Sequence, residues 1–145
     1  ISHGYTLGID FVLNELISTS TGIGFTDADA KVDAGNDAET YDLNFRMNFN
    51  FPWAYLSIGE ALTWNDYKRE DTSVNSNIIR SDVSNTFDII LVKPLGEIIP
   101  ILDPTSSIGV TFGYEKIFSE ANIKNYDYIS DSFSISFSKN FHLNK

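Results

Sequence analysis

The chain of 145 residues contains no cysteine, so neither a disulfide nor a thiolate contributes to its fold or chemistry. That composition suits passage through an oxidising compartment, and a cytosolic protein can equally lack the residue. Histidine is almost as scarce: His3 and His142 lie near opposite ends and offer neither an HExxH arrangement nor close ligand spacing. No apolar run approaches the roughly 20 residues that a transmembrane helix requires, which leaves strands as the only means of spanning a bilayer. Basic residues are outnumbered, ten Lys and Arg against twenty Asp and Glu, and the net charge of -10 disfavours nucleic acid. Divalent cations and basic partners are electrostatically better matched. A Gly-x-Ser-x-Gly elbow, a phosphate loop and a dinucleotide fingerprint are all missing, so catalysis has no assignable residues. The first residue is isoleucine with no leader before it; any export signal is expected to have been removed or to lie upstream.

What the chain does contain is alternation. Tyr41 to Phe51 reads YDLNFRMNFNF, with Tyr41, Leu43, Phe45, Met47, Phe49 and Phe51 apolar and each residue between them polar or charged. Alternate side chains of a strand leave by opposite faces, so this segment has one greasy and one wet face. Seven such segments can be drawn, near 4–14, 16–26, 40–51, 54–67, 82–93, 106–117 and 129–141. The last sets Phe133, Ile135, Phe137 and Phe141 against Ser132, Ser134, Ser136, Ser138 and Asn140, with Lys139 interrupting the apolar face. Small polar residues suit the concave side of a narrow barrel, whereas the solvent face of a soluble sandwich carries more Lys and Glu. The expected fold is therefore all-β: an antiparallel meander forming a transmembrane β-barrel or its C-terminal part, with a soluble two-faced sheet as the alternative. Residues 1–145 are expected to form one such domain or segment. Because bacterial barrels have even strand numbers, seven strands imply a missed strand or earlier strands outside the chain.

The connections repeat the pattern. The joints at Asn14–Leu16 and Pro52-Trp53 are tight, whereas Asp27–Glu39, Lys68–Ser81 and Ser119–Tyr128 are long and polar. Strand parity puts these three long joints at one end of the sheet, the asymmetry of bacterial barrels. The remaining joint, Pro94–Pro104, is apolar and proline-rich, fit to pack on a rim or lie against headgroups. Tyr5, Tyr41, Trp53, Tyr55, Trp64, Tyr67, Tyr126 and Tyr128 fall near strand ends, where aromatic girdles form in membranes and core ends close in soluble folds.

The stretch from Glu115 to Phe141 contains Ala121-Asn122, Tyr126-Asp127-Tyr128 and an alternating strand ending on Phe141. It resembles the last hairpin of proteobacterial outer-membrane barrels of the surface lipoprotein assembly modifier type and related tetratricopeptide-repeat-linked barrels. Alanine stands where that pattern has serine, Asp131-Ser132 stands where an Asn-Arg-like pair is usual, and His142 to Lys145 extend past the phenylalanine. The resemblance implies a bacterial outer-membrane location and a role in translocation, surface-protein assembly or porin-like passive transport. It also implies partners: outer-membrane lipid and lipopolysaccharide, the barrel-assembly machinery reading Phe133, Ile135, Phe137 and Phe141, and exported protein cargo. The alternative is an extracellular or periplasmic β-domain binding protein or carbohydrate through its acidic loops.

Asp10, Asp42, Arg46 and Glu115 share the inward faces and are candidates to line a lumen or to neutralise one another. Asp27, Asp29, Asp33, Asp37 and Glu39 crowd one joint and make it a weak calcium candidate, but Lys31 and Val32 break the EF-hand order. No other cofactor is indicated. Glu60 sits on the same face as Leu56, Ile58, Leu62 and Trp64, and either a β-bulge near Gly59 or contact with protein instead of lipid is the expected accommodation.

Overall fold

The computed structural model describes residues 2–29, 37–70, 77–103 and 108–139. Seven strands form a single antiparallel sheet in sequence order: β1 (Ser2–Val12), β2 (Ile17–Ala28), β3 (Ala38–Phe51), β4 (Ala54–Glu70), β5 (Ile79–Pro94), β6 (Ile108–Ala121) and β7 (Tyr128–Lys139). All seven expected segments are strands. The two longest, β4 with 17 residues and β5 with 16, extend past the alternating apolar stretch into polar sequence at the loop end.

The register converts alternation into two faces. Asp10, Ser20, Arg46, Gly59, Asp88, Glu115 and Ser132 follow one another across all seven strands, a transverse row on the polar face. One residue along each strand, the other face carries Ile9, Thr21, Phe45, Glu60, Phe87, Lys116 and Asp131, with Tyr114 and Phe133 two residues further along β6 and β7. Burial is greatest on the polar face toward the middle strands, where Ser57 is 1% exposed and Asp82 5%. The apolar face is open: Tyr5 is 78% exposed and Phe133 81%.

Local chemistry sets the joints. Asn14 Oδ1 accepts from the backbone N–H groups of Leu16 (2.8 Å) and Ile17 (2.9 Å), so an Asx-type turn closes the β1–β2 hairpin. Pro52-Trp53 turns β3 into β4. The β5–β6 joint opens with a four-residue helix, α1 (Leu95–Ile98), and the β6–β7 joint holds a single 3-10 turn at Lys124–Tyr126. The meander places the β2–β3, β4–β5 and β6–β7 joints at one end, as parity required. Asn122 ties two of them together, its Oδ1 accepting from Ser81 N (2.9 Å) and its Nδ2 donating to Ile79 O (2.8 Å).

The transmembrane barrel expected from the sequence does not form. A barrel closes by pairing its first strand with its last, but among the described residues β1 pairs only with β2 and β7 only with β6. An open edge presents unpaired N–H and C=O groups, which hydrocarbon does not tolerate. The meander stands and its closure does not. With closure go the grounds for an outer-membrane location and for the translocation, surface-assembly and porin-like readings, together with the barrel fold implied by the resemblance. The lumen assigned to Asp10, Asp42, Arg46 and Glu115 becomes an open polar face.

The bulge is also displaced. Gly59 pairs regularly with Arg46 on one side and Asp88 on the other, and the register shift in β4–β5 lies between Asp66 and Glu70. Glu60 stays on the apolar face, where its Oε1 accepts from Asn85 Nδ2 at 3.0 Å.

Candidate functional site

Two constellations stand out, one on each face. On the polar face Arg46 reaches over β4 to Asp88: Nη2 donates to Oδ1 at 2.7 Å and Nη1 to Oδ2 at 2.9 Å, a bidentate pair. Nη1 also donates to Ser57 Oγ (2.9 Å), Ser57 donates to Asn48 Oδ1 (2.9 Å), and Tyr55 donates to the same oxygen (2.8 Å). The pair exists because the strand between the partners carries glycine there. A Cβ on Gly59 would lie 2.4 Å from Asp88 Oδ1 and 2.7 Å from Arg46 Nη2. With its charge matched and both terminal guanidinium nitrogens hydrogen-bonded, this network organises the sheet. An open cavity of about 330 Å³ beside it is bounded by Arg46, Asp88, Glu115, Ser132 and Ser134.

The apolar face carries the second constellation, at the loop end of β1 to β4. Tyr5, Phe25, Tyr41 and Trp64 are successive cross-strand partners and form an aromatic row. Phe25 and Tyr41 touch, with ring centroids 5.1 Å apart. Two residues further toward the loops the same register aligns His3, Asp27, Glu39 and Asp66. Two residues in the other direction it aligns Leu7, Ile23, Leu43 and Leu62. An open groove of about 530 Å³ runs along the aromatic row between β1 and β4. It is therefore bounded by carboxylates on one side and aliphatic side chains on the other.

The two rows communicate. Tyr41 donates its phenol proton to Glu39 Oε2 at 3.1 Å, and this bond, with burial and the charges of Glu39, Asp66 and Asp27, holds the phenol above its usual pKa. Lys68 bonds Asp27 and lies 3.9 Å from Asp37; the Asp27 bond raises the lysine's pKa. Beyond the groove, Arg69 Nε donates to the buried Asp37 at 2.5 Å. Arg80 is paired with Asp82 and lies over the rings of Tyr126 (3.7 Å) and Tyr67 (4.5 Å), clasping the β6–β7 joint to β4 and β5.

Of the residues singled out from the sequence, Asp10, Arg46 and Glu115 fall in the same transverse row, and Asp42 lies four positions from Arg46 along β3. Arg46 takes as its partner none of these but Asp88; Asp42 Oδ1 accepts from Thr63 (2.8 Å). Asp88 was legible only through register, since nothing in its own neighbourhood marks it. In the acidic joint, Asp27 and Asp37 face cations and Glu39 faces Tyr41, while Asp33 lies outside the described residues. Among the described residues no group of three or more carboxylates or histidines is arranged to hold a metal ion. Phe133, Ile135 and Phe137 line one face of β7, and Phe141 lies outside the described residues. The aromatic row was visible as separate strand-end aromatics, but Asp66 was not singled out.

Comparison with known proteins adds no relative: no family model matches the chain, and neither a curated protein nor a solved structure is similar to it. The resemblance of Glu115 to Phe141 to outer-membrane barrels of the surface lipoprotein assembly modifier type is thus without support, and the role it implied for the terminal strand loses its ground.

Proposed function

We propose that this sheet is a protein-binding module, taking a basic, amphipathic segment on the acid-flanked aromatic groove of β1 to β4. The carrying observation is the adjacency of the rows: Tyr5, Phe25, Tyr41 and Trp64 beside Asp27, Glu39 and Asp66. Aromatic rings supply apolar area at small entropic cost, and carboxylates at the rim select cationic side chains. The net charge of -10 favours encounter with a basic partner. Leu7, Ile23 and Leu43 favour protein over carbohydrate, because they offer nothing to a sugar's hydroxyl groups. The unpaired edge of β1 borders the groove, so an extended segment gains main-chain hydrogen bonds there as well.

Titration with an extended peptide alternating Lys and Leu tests this. Trp53→Phe leaves Trp64 as the one fluorescent indole, and its emission should shift on binding, saturably and less strongly at high salt. Glu39→Gln with Asp66→Asn should weaken the peptide's affinity about tenfold, two rim charges being removed. Equal response to a peptide alternating Glu and Leu, or to neutral oligosaccharides, would overturn the assignment.

A further inference from the structure

The opposite edge carries an independent signal. β7 is exposed along its whole length and pairs with β6 without a register shift, and among the described residues its outer side is a free edge. Protein edges are ordinarily guarded by a lysine at the centre, a proline or a bulge. From Ser132 to Ser138 this one reads SFSISFS and has none of them.

We propose that β7 pairs antiparallel with β7 of a second copy of this chain about a two-fold axis at Ile135, joining two sheets into one. The sequence of the strand is self-complementary in that register and in no neighbouring one. With Ile135 opposite its own copy, Phe133 meets Phe137, and Asp131 meets Lys139 at both ends of the pairing. On the other face Ser134 meets Ser136 and Ser132 meets Ser138. A slip of one residue about the axis mixes serine with phenylalanine, and a shift centred on Ser134 or Ser136 sets Asp131 against Phe137 or Phe133 against Lys139. Opposite charges and aromatic pairs directly across an antiparallel ladder stabilise it, and like charges oppose it.

The free edge of β1 is a poorer partner. Its one carboxylate, Asp10, is on the polar face, whereas Asp131 and Lys139 are on the apolar face, so no face-matched register answers both charges. The two-fold arrangement is isologous and closed, so it yields dimers and not fibres.

The absence of native cysteine makes the test direct. In the dimer Ile135 faces itself at about 5 Å between Cα atoms, within disulfide reach, so Ile135→Cys should form a covalent dimer under mild oxidation. Ile129→Cys should not, because six residues either side of the axis separate the two copies by roughly 40 Å. Sedimentation of the cysteine-free chain should show a concentration-dependent dimer. Asp131→Lys and Lys139→Asp should each weaken self-association about tenfold by setting like charges opposite, and an equimolar mixture of the two should restore it. Lys139→Asp leaves the Asp131 contacts within its own sheet in place, and restoration of the dimer by the mixture, which a folding defect would not show, separates pairing from folding. Equal cross-linking at both cysteine positions, or a mixture no more dimeric than its components, would overturn the proposal.

Discussion

Arg46 and Asp88 are separated by a full strand, and they bond bidentately because the residue between them, Gly59, has no side chain. The same economy recurs where Gly22 lies beneath the Asn44 amide and Gly113 beneath Ser134. Glycine on this face makes room for the polar groups of neighbouring strands, a packing role that requires no unusual backbone angle.

Gly59→Ala should therefore destabilise the protein, although alanine normally improves a strand by about 0.5–1 kcal/mol over glycine. The added methyl displaces the Asp88 carboxylate and the Arg46 guanidinium, and overpacking of this kind costs about 1–3 kcal/mol. Urea denaturation measures it. In an Arg46→Met background the penalty should shrink, because one of the two crowded groups is gone.

Ionisation of Tyr41 should occur above the ordinary tyrosine range and fall back toward it in Glu39→Gln. The return should be partial, since Asp66 and Asp27 still act on the phenol. A phenol whose folded pKa is raised contributes stability that is present below pH 10 and is lost as pH rises through the folded value. Residue-resolved NMR titration of the ring carbons reads the shift, and an unchanged Tyr41 in the variant would refute the Glu39 contact.

Asp131 accepts from Tyr114 at 2.7 Å and faces Lys116 at 3.3 Å, and these contacts hold its pKa below 3.8. The contribution of a lowered carboxyl is present above its unfolded pKa and is lost as pH falls through the folded one, in this case below pH 3.8. The same bond raises the Tyr114 phenol, whose contribution is lost as pH rises through a value above 10. Asp131→Asn should flatten both limbs of the stability profile, as followed by thermal unfolding at successive pH values.

Asn122→Ala should loosen the loop end without disturbing the sheet's far end. It removes the acceptor of Ser81 N and the donor to Ile79 O, at a cost of about 1–2 kcal/mol. Hydrogen exchange should accelerate at Ser81 while the amides of Leu16 and Ile17, held by Asn14, are unaffected.

Period-two alternation determined a great deal by itself. It located all seven strands, put Asp10, Asp42, Arg46 and Glu115 on one face and Phe133, Ile135 and Phe137 on the other, and, through parity, put three joints at one end. Each follows from the geometry of a single strand, which a short run of residues expresses completely. Closure and partnership are of another kind. Whether β1 meets β7 depends on the accumulated twist and stagger of every strand between them, and the alternation of a closed wall and of an open sheet is the same. Arg46 found Asp88, and Asp66 joined Asp27 and Glu39, only because register brought together residues up to 42 positions apart. Side-chain type and spacing are local properties, and register is decided by the whole sheet at once.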